Sequence, residues 1–378
     1  MIRRATVLIL LCFLFLSPLS RAAAQTPQSQ VQPYYKAEVV DVTDSGIKKE
    51  FGQESPYQTL TVRVLDGDIA GKTLGINHGS GYSLDPNQLV KKGQLVVVTL
   101  GIGQNGTAEY QIVDAYRLDQ ISTILFIFFG IILILSGWRG FGAIVGMFMS
   151  LGVIVWYIVP QILAGKDPLF VSVSGGLGIM ITTMYLAHGF SKRTTISVVS
   201  TFIALVVTGI IATISVKLAH LTGLGTEDAT ALRLGTTGYI NLKGLLLGGI
   251  IIGTLGVLDD VTTGLVASVS ELVKSVKKPE FSSLYKSGLE VGKEHIASLV
   301  NTLVLAYAGA ALPVFLVIVL NPNHVPLWVI LNSEIIMEEV VRTVSGSIGL
   351  LTAVPITSFL AATYHRHLHS KLANEHLR

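Results

Sequence analysis

The sequence predicts an all-α polytopic membrane bundle of about seven transmembrane helices, preceded by a small extracytoplasmic antiparallel β domain of OB-like type. Three observations lead there. Half of the 378 residues are apolar and only 13% are charged, against roughly 25% charged in a soluble domain. Mean hydropathy is +0.62, and the apolar residues gather into runs that reach the ~20 residues needed to cross hydrocarbon. Ahead of the first such run, the pattern instead alternates apolar and polar residues. Together these exclude an ordinary cytosolic enzyme, a disordered chain and a nucleic-acid binder.

The N-terminus reads as a signal peptide over residues 1–24. Arg3 and Arg4 precede an apolar run from Ala5 to Leu16, and Ala22-Ala23-Ala24 offers a cleavage site before Gln25. An uncleaved anchor is the alternative, and either way residue 25 onward emerges outside the cytoplasm. The single cysteine, Cys12, lies in this leader, so the mature chain carries no thiol, disulfide or cysteine-ligated metal. Removing Arg3, Arg4 and Arg21 from 27 basic residues leaves 24 against 24 acidic ones. No net basic field remains to attract nucleic acid or anionic lipid.

Residues 25–33 are polar and Pro-containing, a linker. Residues 34–117 carry period-two alternation, clearest in Thr59-Leu60-Thr61-Val62-Arg63-Val64, with similar runs at Lys36–Val42, Gln94–Leu100 and Ala108–Tyr116. Turn pairs Asp66-Gly67, Lys92-Gly93 and Asn105-Gly106 separate them. About five strands in this span make a small barrel. It lacks the aromatic and basic surface of a nucleic-acid module, and His78 is a lone loop histidine without a cluster around it.

Seven apolar runs follow: Ile121–Trp138, Ala143–Leu163, Leu169–His188, Ile196–Leu218, Leu242–Leu265, Ile296–Leu320 and Val344–Tyr364. Threaded from an outside start, the inner segments hold Arg139, Lys192, Arg193, Lys274, Lys277, Lys278, Lys286, Lys293, Arg366, Lys371 and Arg378. The outer ones hold Lys166, Arg233 and Arg342, with Lys217 and Lys243 at span ends, so the basic residues concentrate inside. Gly175-Gly176-x-Gly178 and Gly248-Gly249-x-x-x-Gly253-x-x-Gly256 read as close helix-packing faces.

Polar residues interrupt the later spans. Asp259 and Asp260 end the fifth apolar run. If the helix continues, Asp260, Thr263, Ala267, Ser270 and Glu271 share one face. An acid at mid-membrane costs about 2.5–3.5 kcal/mol on the insertion scale and generally faces a cavity or an ion path. A seat at the membrane interface is the other reading, because Leu242–Leu258 is short. Asn301 and Thr302 lie in the sixth span, where interhelical hydrogen bonding is the simpler role. Residues 332–342 form an amphipathic helix in which Glu338 and Arg342 make a favourable i,i+4 pair. This helix is either a surface-lying connector or a lid. Ser345 and Ser347 make the seventh span partly polar, and the histidines from His365 to His369 read as a solvated basic tail rather than a metal site.

No zinc-protease helix, nucleophile elbow or Walker loop is present, so neither an enzyme nor a bound cofactor is expected. The combination of Gly253–Val261 (GTLGVLDDV), Asn301–Gly309 (NTLVLAYAG) and Glu338–Leu350 (EEVVRTVSGSIGL) leading to Pro355 resembles the YibE/F family of bacterial polytopic membrane proteins. The resemblance covers roughly residues 34–365. It departs in carrying two aspartates where family members often show one. It implies a multispan protein of the bacterial cytoplasmic membrane and carries over no catalytic residue.

Two functions fit these residues. The first is a secondary transporter or permease for an ion or small solute. Asp260 would bind a proton or cation, Asp259, Thr263, Asn301, Thr302, Ser345 and Ser347 would line the path, and Glu338 and Arg342 would form an outer gate. The second is a non-transporting envelope factor whose β domain docks an extracytoplasmic protein. The expected surroundings are the lipid bilayer, that protein partner, and a second copy meeting the Gly faces, with no nucleic acid.

Overall fold

The computed structural model describes residues 33–50, 53–80, 82–102, 108–235, 240–275, 280–321 and 324–375. The leader with Cys12, most of the linker and the Asn105-Gly106 turn lie outside the described residues. The chain divides into two compact units, the first ending at Ile134 and the second beginning at Leu135.

The first unit is built on β1 (Tyr34–Glu50), β2 (Gln53–Val64), β3 (Thr73–His78), β4 (Leu95–Ile102) and β5 (Ala108–Ala115). They form one five-stranded antiparallel sheet in the order β3-β2-β1-β4-β5, with its edge strands β3 and β5 close together. The alternation at Leu60, Val62 and Val64 puts these side chains inward, against Ala37, Val39, Ile76, Val96, Val98 and Ile112. Gly67 and Gly93 take φ of 77° and 82°, the left-handed backbone that their turns need. The strand at Thr73–His78 is the one whose residues sequence alternation does not single out.

Helices follow: α1 (Leu118–Val153), a π turn at Ile154–Ile158, α2 (Val159–Leu163), α3 (Pro168–His188), α4 (Lys192–Leu218), α5 (Glu227–Gly235), α6 (Leu242–Ser275), α7 (Phe281–Ala310), α8 (Leu312–Leu320), α9 (Leu327–Leu331) and α10 (Glu334–Glu375). Among the described residues, five helical segments are long and apolar enough to cross a membrane: Leu118–Leu163, Pro168–His188, Lys192–Leu218, Leu242–Lys274 and Glu334–Arg366. A sixth is reached if α7 and α8, bent by 69°, count as one.

The seven expected runs do not all stand as separate helices, for a local reason. The first two expected spans fall in one helical segment interrupted only at Gly137, where φ is 53° and ψ −132°, a backbone that glycine tolerates best. The expected separation between an amphipathic connector and the last span is also absent. No helix breaker stands between Arg342 and Val344, and α10 runs unbroken through both and past Tyr364.

In the second unit α4, α6 and α10 pack on one another, with α7 against α10 and α3 against α6. Thr254 lies near Gly346, and Ser270 bonds His365, so α6 and α10 run parallel. Thr201 meets Thr262 and Gly209 meets Ile251, so α4 runs antiparallel to α6. Small residues permit this closeness: a methyl group on Gly292 would strike Val354, and one on Gly288 would come within 2.9 Å of Ser358 Oγ. On α10 the buried residues Ser345, Gly346, Gly349, Leu350, Ala353, Val354, Thr357, Ser358, Ala361, Ala362 and His365 recur at helical spacing.

Candidate functional site

The helix interfaces of the second unit are partly hydroxyl-bearing rather than wholly apolar. On α4, Thr194, Ser197, Ser200, Thr201 and Thr208 are all at most 3% exposed. They occupy one stripe because they recur three, four or seven residues apart. Thr201 and Thr262 share a 2.7 Å hydrogen bond between their hydroxyls, and the Ser197 hydroxyl donates to the Thr262 carbonyl at 3.5 Å. Thr208 and Thr254 instead donate back to carbonyls four residues earlier in their own helices, Ala204 and Ile250.

Several polar atoms here have no protein partner. Among the described residues, Ser200 Oγ, Asp259 Oδ1, Ser345 Oγ, Ser347 Oγ, Thr357 Oγ1 and Ser358 Oγ are buried with neither a hydrogen bond nor an ion pair, and all lie on α4, α6 or α10. Most buried polar atoms in folded proteins are paired, because an unpaired one costs roughly 1–3 kcal/mol. A concentration of such atoms along three mutually packed helices is what a water- or ion-lined route would leave.

Asp259 sits near the middle of α6, about 25 Å from Leu242 at about 1.5 Å per residue. The helix continues to Ser275, so Asp259 lies within α6 rather than at its end. Leu255 and Thr262, one turn on either side, are buried; Leu255 faces Gly176 of α3 and Thr262 faces Thr201 of α4. Asp259 is thus on the side of α6 turned toward α3 and α4, partly buried. Asp260 is exposed, on a stripe with Gly249, Gly253 and Gly256. Between the two aspartates, the enclosed position belongs to Asp259, not to the Asp260 expected to bind the ion.

Other expected path residues divide. The Thr263 hydroxyl donates to the Asp259 carbonyl at 2.8 Å, within its own helix. Asn301 and Thr302 are exposed on α7, off the face formed by Leu284, Gly288, Gly292 and Leu303, and Thr302 bonds back to Ser298 at 2.9 Å. Neither joins the hydroxyl stripe. Ser345 is fully buried on α10, while Ser347 lies two residues on, about 200° round the helix.

The expected Glu338–Arg342 pair does not form. Glu338, 4% exposed, accepts the Gly225 N–H at 2.9 Å. A methyl group on Gly225 would meet that carboxylate at 2.6 Å, so a side chain there would have to displace it. One turn earlier, Glu334 accepts the Gly223 N–H and the Thr222 hydroxyl, both at 2.8 Å. These two acids tie the loop after α4 to the start of α10. Arg342 instead lies 3.5 Å, Nε to Oε1, from Glu339. Its Nη1 is 3.8 Å from where a methyl on Gly249 would be, and Tyr307 Oη is 3.4 Å from the same point on Gly253. Arg342, Glu339 and Tyr307 therefore form the polar group at this end of α6.

At the opposite end, His365 is 6% exposed and hydrogen-bonds Ser270 at 2.9 Å. It belongs to the helix packing and not to a solvated tail. His367 and His369 are outside the described side chains. Among the described residues, no group of three or more His, Cys, Asp or Glu is placed to hold a metal ion.

His78 is likewise enclosed rather than free. Its Nε2 faces the Gln88 carbonyl at 3.1 Å, so that nitrogen carries the proton and Nδ1 accepts from Tyr82 Oη at 2.9 Å. Burial pushes its pKa below the ordinary histidine value, partly opposed by the Gln88 carbonyl. It holds the loop after β3.

Sequence reading passed over the α4 hydroxyl stripe, although the signal was present: Thr194, Ser197, Thr201 and Thr208 share one face within a long apolar run. The Glu334 clamp carries no such signal, since its partners are backbone N–H groups far away in sequence.

No curated protein and no solved structure matches the chain. A sequence profile described as YibE/F-like protein matches residues 124–367, which takes in most of the second unit and leaves out the β sheet. With well over half its length inside that match, the chain belongs to the YibE/F family.

Proposed function

We propose that this protein is a secondary transporter for a proton or small cation, with Asp259 as the ion-binding carboxylate. The observation that carries the reading is the confinement of the unpartnered buried polar atoms to α4, α6 and α10. A carboxylate partly buried within an apolar helix needs a charge partner to offset its desolvation, and a bound cation or proton supplies one. Ser200, Ser345, Thr357 and Ser358 supply further oxygens along the same helices, as a hydrated route requires. Arg342, Glu339 and Tyr307 stand at one end as the outer gate, with Glu338 bracing the loop beside it through Gly225.

In this reading the chain crosses the bacterial cytoplasmic membrane seven times. Gly137 turns the first helical segment into two crossings, and the bent α7–α8 pair is the sixth. Arg139, Lys192, Arg193, Lys274, Lys286, Lys293 and Arg366 then fall on the cytoplasmic side and fewer basic residues fall outside, in line with the positive-inside rule. The β domain lies outside, and its strand order with β3 beside β5 supports an OB-like barrel.

The test is charge movement in proteoliposomes on a solid-supported membrane, with steps of pH, sodium, potassium and magnesium. The wild type is expected to give a current with one of these ions, Asp259→Asn to lose it, and Asp260→Asn to keep it. Silence of the wild type across all four ions would count against transport and favour a role centred on the β domain.

A further inference from the structure

One buried titratable side chain is left unused by this route. His365 lies in the packed face of α10, hydrogen-bonded to Ser270 of α6. Ser270 is eight residues beyond Thr262, about 12 Å along the helix. The antiparallel register of α4, fixed by the Thr201–Thr262 bond, sets residues 194 and 270 at about the same level. Between those levels α4 offers one hydroxyl per turn: Thr201, Ser197 and Thr194, each at most 3% exposed. At the upper end of this ladder, Thr262 donates to the main-chain carbonyl of Asp259 at 3.2 Å, within α6, one turn from the residue whose carboxylate the route must reach. At the lower end Thr194 Oγ1 lies 2.9 Å from the Ser191 hydroxyl, which caps α4. A histidine can both take up and release a proton near neutral pH, and its two nitrogens let it do so on opposite sides.

We propose that His365 passes protons between the aqueous phase at its end of the bundle and Asp259, by way of Ser270 and the α4 hydroxyl ladder. A hydronium ion gives its proton to His365 Nδ1. The Nε2–H bond breaks as that proton moves to Ser270 Oγ, and the Ser270 O–H proton leaves toward the next oxygen. Thr194, Ser197, Thr201 and the water molecules between them repeat the exchange until the Asp259 carboxylate is neutralised. A ring flip then restores His365. The proposal rests on Asp259 being the ion site.

The charged and titratable groups around His365 fit an exchange point with water. Arg193 of α4 is 3.8 Å from Glu271 of α6, and Lys274 is 2.7 Å from the same carboxylate. Tyr364 of α10 stacks edge-on to the His365 ring at 5.1 Å, with Lys192 5.9 Å from the tyrosine ring. From α7, Phe281 meets Phe359, and Gly288 meets Ser358.

The experiment measures proton flux and its pH profile in proteoliposomes for wild type, His365→Gln, Thr194→Val, Ser197→Ala and Asp259→Asn. Glutamine keeps a hydrogen bond to Ser270 but cannot titrate. The relay predicts that His365→Gln loses about a hundredfold in flux and loses the histidine-dependent inflection of the pH profile. Thr194→Val and Ser197→Ala, which leave His365 intact, should slow flux as well. Wild-type flux and pH profile in His365→Gln, with Asp259→Asn inactive, would overturn the relay while leaving the Asp259 site standing. A current carried by sodium with no proton movement would do the same. No wild-type current with any ion would overturn both.

Discussion

Ser345 offers a sharp contrast between a side chain kept for packing and one kept for a route. Its hydroxyl is fully buried on α10 and has no protein partner. If the hydroxyl serves only stability, Ser345→Ala should cost stability. If it serves a hydrated path, the folded state bears an unpaired polar atom whose removal is neutral or favourable. An unsatisfied buried hydroxyl costs about 1–3 kcal/mol, and the alanine that replaces it is nearly isosteric, so little packing is lost. The expected change is therefore between zero and about 1 kcal/mol of added stability, together with slower transport. Thr201→Val serves as the comparison, because it removes a hydroxyl that is paired. Interhelical hydrogen bonds in membranes average about 0.6 kcal/mol with a maximum near 1.7, so this variant should be destabilised by an amount in that range. Reversible unfolding in bicelles, read by steric trapping, measures both. A loss of more than about 1 kcal/mol in Ser345→Ala would refute the assignment of its hydroxyl to a route.

Other outcomes follow from the same geometry. In a double-mutant cycle, Thr201→Val and Thr262→Val should couple by about 0.5–1.5 kcal/mol, and zero coupling would mean that the 2.7 Å contact contributes nothing. Gly225→Ala should destabilise the second unit by about 1–3 kcal/mol, because its methyl enters the Glu338 carboxylate, whereas Gly71→Ala, with nothing within 4 Å but φ at +84°, should cost only backbone strain. His78 has its pKa depressed by burial, so the unfolded chain binds its proton more readily. The stability it supports is then present above about pH 6.5 and is lost as pH falls through the folded value. Protection of the β domain against hydrogen exchange, corrected for the intrinsic pH dependence of amide exchange, should fall from pH 7.5 to 5 in the wild type and much less in His78→Gln. With Cys12 replaced, the chain has no cysteine, so Ser200→Cys, Thr357→Cys and Phe202→Cys can be probed one at a time. A water-soluble thiol reagent should reach the first two in the cycling protein and leave the lipid-facing third unmodified.

What was legible in the sequence was whatever repeats locally. The alternation of Thr59–Val64 marked a strand, the glycines at 67 and 93 marked turns, and the apolar runs marked the spanning helices, since each signal is carried by neighbouring residues. The number of crossings was less legible, because one residue decides it: Gly137 interrupts a helix that composition alone divides into two runs. The break expected between Glu338–Arg342 and the last span failed for the opposite reason, since no residue there stops a helix.

At the site, an acid inside an apolar run was visible from sequence, but the choice between Asp259 and Asp260 was not. Adjacent residues point about 100° apart on a helix, and only the packing of α3 and α4 decides which is enclosed. The Glu338–Arg342 pair was inferred from spacing. Spacing cannot register a competing partner such as the Gly225 N–H, far away in sequence. His365 was read with the basic residues after it, yet its burial depends on Ser270 of a different helix.

The most direct measurement is the ion-exchange infrared difference spectrum of the purified protein in lipid, which reports carboxylate binding without requiring turnover. Replacing one coupling ion or shifting pH should perturb a carboxyl band that is absent in Asp259→Asn and retained in Asp260→Asn. A band that persists in Asp259→Asn, or a wild-type spectrum with no carboxyl change for any ion or pH, would contradict Asp259 as the ion site.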